Sequence, residues 1–263
     1  MNLLFIGDIV GRPGREALRS CLESLVARHR VDFTIANIEN AAGGMGVTQP
    51  VAEEILAAGV DVLTTGNHVW RHRGAVGYID AEPRLLRPAN YPPGAPGRGA
   101  AVFMTAHSGP VGVLNLLGRT FMHPLDCPFR AADREIEQLR GKTPVIVVDM
   151  HAEATSEKLA MGWRLDGRVS AVLGTHTHVQ TADERILPRG TAYITDVGMT
   201  GPRDSILGVK AEPVIEHFLS GMPTHFEVAG GPTVLNGVVV SIDTETGLAR
   251  SLERVIESVG AQT

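Results

Sequence analysis

Residues 168–179 read RVSAVLGTHTHV: a short apolar run, a glycine, and then two histidines, His176 and His178, two residues apart. A brief Val- and Leu-rich run bounded by a turn-former predicts a buried strand, and its polar tail marks where the strand ends. The pattern recurs in LLFIGD at 3–8, FTIANIEN at 33–40, VDVLTTGNH at 60–68 and PVIVVDMH at 144–151. Between these runs the spacing changes to three and four residues. In GREALRSCLESLVARHR (14–30), Ala17, Leu18, Cys21, Leu22, Leu25 and Val26 line one helical face. TQPVAEEILAAG (48–59), with Thr48 as its expected cap, and FRAADREIEQLRGK (129–142) each run to a glycine. Alternating strand and helix predicts a layered α/β domain.

Two segments break the alternation. THFEVAGGPTVLNGVVVSIDTETGLARSLERV (224–255) predicts hairpin strands joined at DTETG and added to the sheet. EPRLLRPANYPPGAPGRG (82–99) carries too much Pro and Gly for a long helix or central strand, and reads as a surface loop beside the site. No repeat or boundary divides the chain.

With 263 residues, 43% hydrophobic and 20% charged, the chain has the composition of a soluble globular protein. A net charge of −5 supplies no bulk attraction to nucleic acid or anionic membrane. No apolar stretch approaches the roughly 20 residues that span a bilayer. The only cysteines, Cys21 and Cys127, have no CxxC spacing, and MNLLFIGDIVGRPG lacks a basic start and cleavage site, so a cytoplasmic, reducing location is expected.

In open α/β sheets, ligands bind beyond the carboxyl ends of the strands. Five such ends carry Asp8, Glu39 with Asn40, Asn67 with His68, His151, and His176 with His178. Singly, each fits an ordinary turn: Asp8 or His151 as a helix cap, the others as solvated loop residues. His176 and His178 stand out because residues i and i+2 of an extended chain point to the same side. Together, two carboxylates, two carboxamides and three or four imidazoles form an oxygen and nitrogen set without thiolate, suited to Mn, Fe or Zn. Seven ligands exceed one ion with an open position and match two ions about 3.5–4 Å apart sharing a carboxylate. The chemistry that such a pair performs is phosphoester hydrolysis.

The order Asp8, IEN, GNH, DMH, GTHTH resembles the calcineurin-like metallophosphoesterase superfamily. Val10 stands where the general family has His, Glu39 and Asn40 where it has Gly-Asp, and Val69 where it has an acidic residue. GDIVGRPGR, IENAAGGMG, TGNHVW, VDMHAEATSEK, GTHTHVQTAD and ITDVGMTGP are similar to the YmdB-like branch, over Asn2 to about Val209. The resemblance implies a metallophosphoesterase fold, a β-sheet sandwich flanked by helices with C-terminal hairpin strands. It implies a single domain over 1–263 with a loop-rich lid or insertion around 69–99. Asp8, Asn40 and His178 are then expected on one divalent metal and Asn67, His151 and His176 on a second, with Glu39 bridging. Iron or manganese is expected, and zinc is compatible.

His68, left without a metal role, is expected to be the general acid as a hydroxide held between the ions attacks phosphorus. The implied substrates are 2′,3′-cyclic or 3′,5′-cyclic nucleotides or another small phosphodiester. Stable nucleic-acid binding and a membrane partner are not expected, and a homo-oligomer is. The competing readings are a metal-binding regulatory protein with weak residual phosphodiesterase activity, and a ribonuclease. Asp149 as an orienting carboxylate, Arg119 and Arg203 as phosphate contacts, and Trp70 and Tyr91 as base-stacking rings have equally good structural explanations. Thr177 is expected to point away and to tolerate substitution better than its neighbours.

Overall fold

Leu3, Leu4, Phe5 and Ile6 are all fully buried, so β1 (Asn2–Ile6) is covered on both faces. Side chains alternate across a strand, and here the two faces meet different layers. Leu3 and Phe5 join one apolar cluster, Leu4 and Ile6 another.

The computed structural model describes residues 1–260; residues 261–263, the end of the expected single domain, lie outside the described residues. After β1 come β2 (Asp8–Ile9), α1 (Gly11–His29), β3 (Phe33–Asn37), α2 (Gln49–Ala57), β4 (Val62–Thr64), α3 (Ala75–Ala81) and β5 (Leu85–Leu86). Next are β6 (Ala100–Met104), β7 (Pro110–Leu117), α4 (Pro128–Arg140), β8 (Ile146–His151), α5 (Thr155–Leu165) and β9 (Ala171–Thr175). The chain continues through β10 (Arg185–Ile186), β11 (Ala192–Ile194), β12 (Met199–Pro202), α6 (Ala211–Ser220), β13 (Thr233–Ile242) and β14 (Ala249–Val259).

One sheet has the order β2-β12-β13-β1-β3-β4-β5, with β14 paired to β13; the other runs β10-β11-β9-β8-β7-β6. They face each other across Phe5, Ile35, Val62, Val113, Val147, Leu173 and Val238, which form one buried cluster. Leu18, Leu22 and Leu25 of α1 and Ile55 of α2 cover the outer face of the first sheet. Ala131 and Ile136 of α4 with Met161 and Leu165 of α5 cover the second. The result is the expected sandwich of sheets flanked by helices. Its C-terminal hairpin turns at Asp243, whose carboxylate accepts the backbone N–H groups of Glu245 and Thr246, both at 3.0 Å.

Three details differ from the sequence reading. β13 lies inside its sheet, antiparallel to β1. Thr48 occupies the cap position of α2 but makes no side-chain capping bond. Within 82–99, the residues from Leu85 to Asn90 are buried, and β5 extends the first sheet beside β4. The Arg87 guanidinium closes this segment by donating to the carbonyls of Pro88, Ala95 and Pro96 at 2.8, 3.2 and 2.9 Å. The flanking prolines and glycines mask a two-residue strand too short to show a period. No helix among the described residues is long and apolar enough to cross a membrane.

Candidate metal centre

β1, β3 and β4 run parallel, as do β7, β8 and β9, so the carboxyl ends of each set leave their sheet together. Asp8, Glu39, Asn40, Asn67 and His68 follow strands of the first sheet; His151 ends β8, and His176 and His178 follow β9. Three of the five strand ends line one cleft of about 270 Å³, whose wall is Glu39, Asn40, His68, Glu153, His176, Thr177, His178 and Leu207; the other two bring Asp8 and His151, both fully buried, against His178 and Glu39.

His151 is at the centre. Its Nε2 lies 3.1 Å from Glu39 Oε1, 3.2 Å from Asn67 Oδ1 and 3.1 Å from His176 Nδ1. Donor atoms on a cation with bonds of about 2.1 Å sit roughly 3.0–3.4 Å apart at octahedral or tetrahedral angles, so this spacing fits a bound ion. On the other side, His178 Nε2 and His151 Nδ1 lie 3.9 and 3.8 Å from Asp8 Oδ1. Asp8 Oδ1, Glu39 Oε1 and Asn40 Oδ1 are buried and make no well-aligned hydrogen bond, Glu39 Oε1 despite imidazole nitrogens of His151 and His68 at 3.1 and 3.2 Å. Buried polar atoms are nearly always paired; three orphan oxygens at one cleft fit hard divalent cations. Gly66 leaves the room, since a Cβ there would stand 2.2 Å from His151 Nε2 and 2.4 Å from Glu39 Oε2.

Charge is balanced inside the cluster. Burial opposes ionisation of Glu39, yet the imidazoles of His151 and His68 hold it well below the usual carboxylate range. Burial likewise disfavours the His151 imidazolium, and Glu39, Asp8 and Asp149 overcome it, pushing the group up to about 9. His176 is pushed down to about 3 by burial and by the charge on His151, so it is a neutral donor. Burial pushes Asp8 up against the pull of His178 and His151.

Buried carboxylates behind the cleft hold these groups in place. Asp149, pushed up to about 6 by burial, accepts Thr64 Oγ1 at 2.6 Å, Asn37 Nδ2 at 3.0 Å and Thr175 Oγ1 at 2.6 Å. It therefore pins the ends of β3, β4 and β9 to β8. Because the Thr175 hydroxyl donates to Asp149, it accepts from His151 Nδ1 at 2.8 Å, which turns Nε2 to the cleft. Asp196 forms a buried pair with Lys158 at 2.7 Å and accepts the N–H and hydroxyl of Thr177 at 3.0 and 2.7 Å.

Two expectations are corrected here. His176 and His178 do not sit on extended chain: their φ angles are 97° and 66°, and the loop rather than the two-residue alternation of a strand aims them. Thr177 turns its hydroxyl to Asp196 at 2.7 Å, in keeping with a side chain directed away from its two neighbours, and anchors the loop there. His151 caps no helix, because α5 begins at Thr155 behind Ala154. Arg203 pairs with Asp204 on the surface, and the Arg119 guanidinium lies 3.6 Å from Cys127 Sγ. Trp70 and Tyr91 meet edge to face at 5.7 Å and pack against the outer core of the first sheet. Sequence reasoning missed Glu153, Thr175, Lys158 and Asp196, although all four lie inside the quoted motifs and a carboxylate two residues past His151 is a visible signal.

Comparisons with known proteins show the family and the fold. A Bacillus subtilis protein named 2′,3′-cyclic-nucleotide 2′-phosphodiesterase is 51% identical over 256 residues, covering 97% of each chain. A solved Mycoplasma pneumoniae structure described as a novel phosphatase superposes with a TM-score of 0.92 at 35% identity, over 98% of this chain and 93% of that one. The calcineurin-like phosphoesterase YfkN of Bacillus subtilis shares the fold, with a TM-score of 0.58 at 11% identity over 98% of this chain and 90% of that one. The sequence profile of the YmdB-like protein matches residues 4–255, a span that includes every strand end from Asp8 to His178, and the chain belongs to the YmdB-like family.

Proposed function

We propose that this chain is a phosphodiesterase that opens 2′,3′-cyclic nucleotides at a centre of two divalent cations. The observation that carries the reading is the setting of Glu39, whose buried Oε1 lies 3.1 Å from His151 Nε2 and 3.2 Å from His68 Nδ1. One carboxylate thus faces both the proposed ligand set and the proposed acid. Asp8, Asn40 and His178 would hold one cation, Asn67, His151 and His176 the other, and Glu39 both. The donor chemistry favours Fe or Mn and is compatible with Zn. When bound, such cations supply Lewis acidity that activates water and neutralises charge on the phosphoryl oxygens.

The chain's own residues do the rest. Asp149 and Thr175 fix His151, and Asp196 fixes the loop of His176 and His178. His68 Nδ1 is engaged by Glu39 while its ring lines the cleft, so Nε2 is the nitrogen that donates a proton to the departing ribose oxygen. The relative's name supports the 2′ oxygen as that leaving group. 3′,5′-Cyclic nucleotides belong to the same reading as secondary substrates.

The reading also treats 1–263 as one domain with a loop-rich lid or insertion around 69–99; the apolar core that the two sheets share supports the single domain. Two free cysteines support a reducing cytoplasm. Exposed Ile215, Phe218, Leu219 and Met222 support a homo-oligomer.

The test is turnover of 2′,3′-cyclic and 3′,5′-cyclic nucleotides, a phosphomonoester and short RNA, each with Mn, Fe and Zn. The 2′,3′-cyclic substrates are expected to be fastest, giving the 3′-monophosphate. His68→Ala, fully metal-loaded, is expected to be slower by roughly 10²–10⁴-fold. Equal rates for wild type and His68→Ala would remove His68 from the chemistry, and preference for RNA would replace the substrate class.

A further inference from the structure

Both ring nitrogens of His176 are engaged. Nδ1 faces His151 at 3.1 Å, and one donor atom each of Glu39, His151 and His176 lie within 4.8 Å of one another. Nε2 points the other way, 3.1 Å from Oε2 of Glu153. Glu153 lines the cleft, its side chain is 48% exposed, and it has no other side-chain hydrogen bond or ion pair among the described residues. A purely structural carboxylate at the approach to α5 would be tied to the helix; this one is tied to an imidazole.

The consequence is tautomeric. A neutral imidazole carries one proton, and only the nitrogen without it has a lone pair for a cation. An anionic acceptor at Nε2 fixes the proton there and leaves the Nδ1 lone pair directed at Glu39 and His151. The other imidazoles obey the same rule with different partners: His151 Nδ1 meets Thr175 Oγ1 at 2.8 Å and His178 Nδ1 meets the Leu207 carbonyl at 3.0 Å. Of these three imidazoles, only His176 depends on a side chain that itself borders the cleft.

We infer that Glu153 is a positioning residue of the metal centre, holding His176 as the Nε2–H tautomer so that Nδ1 faces the cation shared with Asn67 and His151. The inference rests on the two-cation reading. Loss of such an outer partner typically weakens metal binding by about 10–100-fold.

The test is chelator competition for Mn²⁺ on the intact chain, with bound ions counted by elemental analysis and metal-free melting recorded alongside. Wild type is expected to hold two ions. Glu153→Ala is expected to keep one and to bind the other about 10–100-fold more weakly, with unchanged metal-free melting. Glu153→Gln, whose amide oxygen still accepts from Nε2, is expected to recover most of the loss. Unchanged affinity in Glu153→Ala, equal losses in both variants, or a lowered metal-free melting temperature each overturn the positioning role while leaving the two-cation reading intact. A wild type that never holds two Mn²⁺ ions overturns both.

Discussion

His151 is fully buried and still pushed up to about 9, because Glu39, Asp8 and Asp149 surround it. The metal-free protein therefore carries a proton on this ring below about 9, and a cation ligated there must displace it. The sign follows directly: metal affinity rises with pH, about tenfold per unit for one displaced proton, and levels off above about 9. Calorimetric titration with Mn²⁺ at several pH values checks this, and an affinity flat from neutrality to pH 9 would show that no cation replaces that proton. At this scale the sequence was informative about identity and silent about orientation. The end of an apolar run exposed Asp8, Glu39 and His151 as candidates. Glu153 and Thr177 gain their roles from His176 and from Asp196, and the second contact spans 19 positions of chain.

Loop 176–178 shows how an element inherits its shape from another. Two non-glycine residues with positive φ are unfavourable by themselves, and they persist here because Thr177, between them, donates twice to Asp196. Lys158 of α5, 1% exposed, neutralises that carboxylate. Removing one partner of a buried pair strands the other's charge, so Lys158→Met is expected to lower stability by about 3–5 kcal/mol and to weaken metal binding through the loop. Urea unfolding and Mn²⁺ titration of the variant test both; a variant as stable as wild type would make the pair incidental. The quoted apolar runs contain β1, β3, β4, β8 and β9 because each is buried and bounded by turn-formers. β2 and β5, two residues each, are defined by β12 and β4 alongside them and leave no period to read.

The whole molecule is a pair of sheets whose polar ends meet at one cleft. Alternation of strand and helix made the layers legible, but β13 reaches β1 across the length of the chain, pairing Asn2 with Ser241, and no local pattern encodes such a contact. The two-sheet origin of the centre has a thermodynamic consequence. Asp8, Glu39, Asn40 and Asn67 come from one sheet and His151, His176 and His178 from the other, so the proposed ligand set is complete only when the sheets are stacked. A cation that binds the folded chain alone stabilises it by RT ln(1 + [L]/Kd), about 2.7 kcal/mol at a hundredfold excess over Kd. For a chain of this size, each such ion should raise Tm by roughly 5–10 °C. Chelator-stripped protein is therefore expected to melt well below the Mn²⁺-loaded form and to recover when the ion is restored. The two-sheet assignment makes a sharper demand: His151→Ala and Asp8→Ala, one from each sheet, should both shrink the metal-induced gain in Tm. If either variant kept the full gain in a calorimetric scan, the ions would be held by one sheet only, and the cleft between the sheets would not be their site.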